Sequence, residues 1–170
     1  KGLIGDGEVM AKTIGEVGAA AAQKRRAGRI LFGSSVENYK SALLGAYDRV
    51  NKITHAERTN IYIFTGLAGG TGSGSIIDVI AQTRMMPQFQ EMLSMDGKTG
   101  TSIVVNAMIP EITPPGNSDA GRYHANGYAA LQELNALLTG NFKPYDVSGL
   151  HERMELDKVR KVADGLILYS

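Results

Sequence analysis

Short apolar runs alternate along the chain with stretches in which apolar residues recur at helical spacing. The runs are residues 60–65, 101–109 and 165–169, which are rich in β-branched, aromatic and other large apolar side chains. Runs of this length and composition are typical of β-strands. The second is apolar almost throughout, as expected of a strand covered on both faces, and the first is predicted to be buried as well.

The helical spacing predicts the elements before and between these strands. We expect helices over residues 8–17, from about Arg29 to Val50, over residues 74–86 and over residues 123–138. The triplet Gly-Ser-Ser at 33–35 predicts an interruption in the second of them. In the last helix five side chains are predicted to face inward: Tyr128, Leu131, Leu134, Leu137 and Leu138.

Three further segments carry no strong periodicity. Residues 88–94 are predicted to form a short helical piece, and residues 110–121, with three prolines, a loop. Residues 139–162 are polar and broken by glycine and proline, which predicts a surface excursion.

Strands separated by helices predict the α/β class. The expected architecture is a three-layer, mostly parallel sheet flanked by helices and joined by right-handed crossovers. A chain of 170 residues is long enough for one domain with a sizeable core, so residues 1–170 are treated as a single domain. Because Lys1 is not an initiating methionine, we expect the domain to be an incomplete, internal piece of a longer protein.

Composition narrows the function classes. Hydrophobic residues make up 43% of the chain, charged residues 21%, and the net charge is +1, which gives no general attraction to nucleic acid or membrane. The absence of cysteine excludes disulfides and thiolate sites and agrees with a cytoplasmic location. The three histidines lack zinc-ligand spacing, and no apolar run approaches the ~20 residues of a membrane span.

A glycine-rich segment between the first strand and the following helix is the main candidate site. Residues 66–75 read Gly-Leu-Ala-Gly-Gly-Thr-Gly-Ser-Gly-Ser. A strand, a glycine-rich turn and a helix form an arrangement that binds phosphate, because glycines allow close backbone approach and positive φ, and the first helical N–H groups point at the anion. The hydroxyls of Thr71 and Ser73 are expected to add hydrogen bonds or to cap the helix.

Two common phosphate loops do not match this segment. A P-loop requires a lysine, and the turn has none. A dinucleotide loop requires the spacing Gly-x-Gly-x-x-Gly, whereas Gly70, Gly72 and Gly74 alternate with single residues. A glycine-rich turn without a ligand remains the structural alternative.

Residues 68–74 resemble the signature loop of the tubulin and FtsZ superfamily, Gly-Gly-Gly-Thr-Gly-Ser/Thr-Gly. Six of the seven positions match: Gly69, Gly70, Thr71, Gly72, Ser73 and Gly74, with Ala68 in place of the first glycine. The order of strands and helices is also similar to that family's nucleotide-binding domain, which has a Rossmann-like fold. The chain thus looks like part of a divergent prokaryotic tubulin-like protein.

The resemblance implies roles for residues outside the loop. Residues 18–26 are similar to a second phosphate loop of the family, although Ala21 and Ala22 stand where glycines are usual. The cations at 24–26, Lys-Arg-Arg, either supply positive charge there or form a solvated surface. Glu111 is expected to accept hydrogen bonds from the ribose and Arg122 to be a second contact, with a solvated position as the alternative for each.

The resemblance implies binding of GTP or GDP, with or without Mg²⁺, and head-to-tail self-association into cytoskeletal filaments. In this family the acidic residues that activate water come from a neighbouring subunit, so GTPase activity is expected of the assembled full-length protein and not of this chain alone. No catalytic residue is therefore assigned. Two alternatives remain: a degenerate structural module that binds no nucleotide, and a Rossmann-like dinucleotide-binding domain.

Overall fold

The computed structural model describes residues 23–113, 121–148, 152–159 and 161–170. The predicted helix at 8–17, and Ala21 and Ala22, lie outside the described residues. The elements in chain order are α1 (Arg25–Gly33), α2 (Val36–Thr54), β1 (Arg58–Gly66), α3 (Thr71–Met85), a 3₁₀ turn (Pro87–Phe89), β2 (Gly100–Met108), α4 (Tyr123–Leu138), a second 3₁₀ turn (Leu156–Lys158) and β3 (Gly165–Tyr169).

The three strands form one parallel sheet in the order β1-β2-β3. Arg58 pairs with Gly100 and Gly66 with Met108, while Met108 also pairs with Tyr169. The α/β class, with a parallel sheet flanked by helices, is confirmed. Because all three strands run the same way, their carboxyl ends meet at one edge of the sheet, where ligands bind in folds of this kind.

The core lies between the central strand and the helices α3 and α4. Ile103, Val105 and Ala107 of β2 are fully buried and pack in one cluster with Ile80 of α3 and Leu134 of α4. This central position explains why β2 is mostly apolar and why its polar residues Thr101, Ser102 and Asn106 are buried as well.

The prediction that β1 is buried is wrong for one of its faces. Tyr62 and Phe64 are 60% and 73% exposed, whereas Ile61 and Ile63 pack against the core. Successive side chains of a strand point to opposite faces of the sheet, and the described residues do not cover the face that carries Tyr62 and Phe64.

Most helix boundaries agree with the sequence prediction, with three shifts. The interruption after Gly33 is confirmed, but α1 begins four residues before the predicted Arg29, and α2 extends to Thr54, beyond the predicted Val50. Helix α3 begins at Thr71 and not at residue 74, so half of the predicted loop is the first turn of a helix.

Helix α4 has the predicted bounds, but one of its predicted inward positions is wrong. Tyr128 is 68% exposed. The buried positions of this helix are 126, 127, 130, 134 and 137. Residue 128 is two positions from both 126 and 130, so it lies about 200° round the helix from each of them.

The segment after α4 is not a surface excursion in the part that the structure describes. Met154, Leu156 and Val162 are buried and belong to the core cluster. The predicted helical piece at 88–94 is also wrong, because the helical hydrogen bonding is limited to the turn Pro87–Phe89.

Among the described residues, no helix combines the length and apolarity that a membrane crossing requires.

Candidate phosphate site at the carboxyl edge of the sheet

Three helices begin at the carboxyl end of β1. The amide Nδ2 of Asn126, in the first turns of α4, donates to the Gln23 and Ala68 carbonyls at 3.0 Å each. It also lies 3.4 Å from the Gly69 carbonyl. Because Gln23 lies two residues before α1 and Ala68 three residues before α3, this one buried side chain ties the starts of all three helices together.

The starts of these helices are electropositive. Helices α1, α3 and α4 have Lys24, Gly70 and Arg122 at their N-cap positions, and none of the three caps accepts through its side chain. None of the three helices has an acidic residue in its first turn. Free N–H groups and the positive ends of the helix dipoles favour an anion near such positions.

The glycines of the loop are not used for positive φ. In the described residues the glycines with positive φ are 97, 100, 121 and 140, and Gly70 has a φ of −85°. The expectation that the loop glycines adopt left-handed conformations is therefore wrong. Their role must be to let other groups approach the backbone of the loop closely.

Two of the loop glycines are explained by packing alone. A Cβ at Gly72 would lie 2.6 Å from the Gly66 carbonyl oxygen, and one at Gly74 would lie 2.1 Å from that of Arg25. These glycines let α3 approach β1 and α1. Gly69 differs, since a Cβ there would meet no atom within 4 Å. The space beside Gly69 is open, as it is beside Gly66 at the end of β1.

The two hydroxyl residues of the loop have different environments. Ser73 is fully buried, and its hydroxyl donates to the Gly69 carbonyl one turn back. Thr71 is exposed at the first position of α3. Ser73 therefore holds the loop in shape, and Thr71 is the better placed of the two for a ligand.

Glu111 lies just beyond β2 and is anchored to the start of α4. Its carboxylate accepts a hydrogen bond from the Tyr123 hydroxyl, which lowers the pKa of Glu111 below its usual value. Its carbonyl oxygen lies 2.9 Å from His124 Nε2. The side chain is exposed and charged at neutral pH, as a ribose contact requires. Arg122 sits beside it as the N-cap of α4.

The basic residues at 24–26 do not form one solvated patch. The guanidinium of Arg25 donates to Glu133 of α4 at 3.0 Å and to the Ser73 carbonyl at 2.9 Å. Arg25 thus joins α4 to the first turn of α3, while Arg26 is exposed. A surface role is wrong for Arg25, because its partners lie on elements 48 and 108 residues away.

Sequence reasoning missed Asn126 and the structural part played by Arg25. The Asn126 contacts span 58 and 103 residues, so no local motif reveals them. The one available signal was a polar residue on the buried face of a mostly apolar helix.

The described residues fit a phosphate group but hold no preformed metal site. Uncapped helix starts and the open space beside Gly69 suit an oxyanion. In the described part of the chain, no group of three or more His, Asp or Glu side chains is placed to bind a metal ion.

Comparison with known proteins identifies the family. Neither a search of curated proteins nor a search of solved structures returned a significant match. A protein-family model described as tubulin like matches residues 9–162. This match spans most of the chain and includes the glycine loop and all three helix starts. The chain therefore belongs to the tubulin-like family.

Proposed function

We propose that this domain binds a guanine nucleotide at the carboxyl edge of its sheet. The phosphates would lie on the N–H groups of residues 69–73, and Glu111 would accept hydrogen bonds from the ribose. The observation that carries the proposal is that Asn126 joins the starts of three helices, none of them capped by its N-cap side chain, next to Gly69, where a Cβ would meet no atom within 4 Å. The tubulin-like family supports guanine as the base. Mg²⁺ enters only as an ion carried with the phosphates.

Substitution of Gly69 by valine tests the proposal. A Cβ at Gly69 would meet no atom within 4 Å, so a valine should enter the proposed phosphate space with little strain on the fold. We expect GTP affinity to fall by about tenfold or more, equivalent to roughly 1.4 kcal/mol. The measurement is isothermal titration calorimetry on the full-length protein. Gly72→Val is a poorer test, because its Cβ would strike the Gly66 carbonyl and disturb the fold.

The matched control is Gly45→Val on α2. A Cβ at Gly45 would meet only the end of the Arg49 side chain at 3.6 Å, far along the chain from the loop. This variant is expected to bind GTP as the wild type does. Unchanged affinity in Gly69→Val, with the fold intact by circular dichroism, would contradict the phosphate assignment.

Two other functions make different predictions for the same site. A dinucleotide-binding domain would let NAD displace GTP in a competition titration, which the spacing of Gly70, Gly72 and Gly74 argues against. A degenerate structural module would show neither affinity nor nucleotide absorbance after denaturation of the purified protein. Packing explains two of its loop glycines, but not Gly69.

The second part of the proposal is head-to-tail self-association of the full-length protein into cytoplasmic filaments. We expect sedimentable polymer with GTP and less with GDP, measured by pelleting and by light scattering. Gly69→Val should pellet less than Gly45→Val at equal GTP. Equal pelleting of both variants would separate assembly from nucleotide binding and contradict this part of the proposal.

A further inference from the structure

A cavity is lined by residues of α1, α3 and α4 and of the segment after α4. Its volume is about 590 Å³, within the usual range of about 300–1,000 Å³ for small-molecule sites. Gly74, the last glycine of the loop, lines it, but residues 69–73 do not. The cavity therefore adjoins the proposed phosphate site without including the N–H groups of residues 69–73.

The wall of this cavity is partly apolar. The apolar lining residues come from three parts of the chain: Ile30, Ile77, Phe142 and Val147. Gly33 adds room, because a Cβ there would only just reach Val147, at 3.5 Å. An apolar ligand body of moderate size would find contact on several sides.

The charges of the cavity are unbalanced in favour of cations. Three arginines line it, and two of them are paired, Arg25 with Glu133 and Arg29 with Asp78. Arg29 uses Nε and Nη2 for Asp78, at 2.7 and 2.9 Å, so its Nη1 remains for another acceptor. Arg26 is exposed and makes no ion pair with a carboxylate of the described residues.

Arg26 and Arg29 stand three positions apart on α1, so their side chains are neighbours on one helix face. Two adjacent guanidinium groups present N–H donors in a planar arrangement that suits a carboxylate. The neighbouring apolar wall suits a hydrocarbon or aryl body. We propose that this cavity binds a small amphiphilic carboxylate, with its carboxylate on Arg26 and Arg29 and its apolar part against Ile77 and Phe142.

Titration calorimetry with decanoate, below its micelle concentration, tests the site on the full-length protein. Arg26→Gln removes the free cation and should weaken decanoate binding by about threefold to tenfold, while binding of uncharged decanol stays unchanged. Gly33→Leu fills the cavity and should abolish binding of both ligands. Arg49→Gln, an exposed arginine on α2 outside the cavity, is the matched control and should bind decanoate as the wild type does.

Several outcomes would overturn the proposal. The first is that the wild type does not bind decanoate, and the second is that Arg26→Gln and Arg49→Gln lose decanoate affinity equally. The third is that binding survives in Gly33→Leu, which would place the ligand on another surface such as the exposed face of β1. Gly69→Val separates the two sites. This variant should lose GTP binding and keep decanoate binding. Loss of decanoate binding as well would show that this cavity is not independent of the proposed phosphate site.

Discussion

Replacing Arg84 by alanine is expected to lower the free energy of unfolding by about 3–5 kcal/mol, because it breaks a buried ion pair from one side. The Arg84 side chain has no exposed area, and its Nη2 donates to Asp164 at 2.8 Å. It also donates to the carbonyl groups of Phe89 and Thr101, at 2.9 and 3.2 Å, and of Val162, at 3.2 Å. Chemical denaturation followed by circular dichroism measures the change.

The effect should be large because the guanidinium serves several partners at once. Burial lowers the pKa of Arg84, and the Asp164 carboxylate acts in the opposite direction. Without Arg84, three carbonyl groups lose a donor and Asp164 loses its cation. Asp164 would keep its hydrogen bond from the Ile103 amide, at 2.8 Å.

Lys98→Ala is the control for Arg84→Ala. Lys98 pairs with Asp96 at 3.5 Å, but the two side chains are 79% and 57% exposed. An exposed pair of this kind contributes about 0–1 kcal/mol, so this variant should unfold near the wild-type midpoint. Arg84→Lys, which keeps the charge but cannot reach all four acceptors, should fall between the two. Equal stability of Arg84→Ala and Lys98→Ala would show that the buried network does not hold the fold in solution.

The role of Arg84 illustrates what the amino-acid pattern could not reveal about the fold. The amino-acid pattern located β2 and α4 well, because β2 is an almost continuous apolar run and the leucines of α4 recur at helical spacing. It failed for residues 139–162, where buried Met154, Leu156 and Val162 are separated by polar residues without a fixed period. Their burial depends on tertiary contacts such as the bond from Arg84 to Val162, 78 residues apart.

The candidate site, like the fold, has a part that the sequence predicts and a part that it does not. The loop at 68–74 was predictable because its glycines and hydroxyls are adjacent in sequence. The convergence of α1, α3 and α4 was not, because it depends on the single amide of Asn126 and on Arg25 reaching Ser73. The sequence also could not distinguish Gly72 and Gly74, which allow helix packing, from Gly69, beside which the space is open. That distinction needs the position of the atoms around each Cα.

Gly28→Ala is expected to destabilise the protein by about 1–3 kcal/mol and to weaken nucleotide binding as well. A Cβ at Gly28 of α1 would lie 2.1 Å from the Gly70 carbonyl oxygen and 2.8 Å from the Thr71 Cα. Both atoms belong to the backbone, so no side-chain rotation can relieve the clash. The start of α3, which carries the proposed phosphate contacts, must move away from α1. Denaturant unfolding and GTP titration on the full-length protein measure the two effects.

Gly45→Ala makes the same chemical change in α2 and should stabilise the protein, whereas Gly28→Ala should destabilise it. Its Cβ would meet only the end of the flexible Arg49 side chain, at 3.6 Å. Alanine costs less conformational entropy than glycine in a helix, so this variant should gain about 0.5–1 kcal/mol and keep its affinity for GTP. If Gly28→Ala were also stabilised, the close crossing of α1 and α3 would not exist in solution. If it were destabilised but bound GTP normally, the position of α3 would not determine the phosphate contacts.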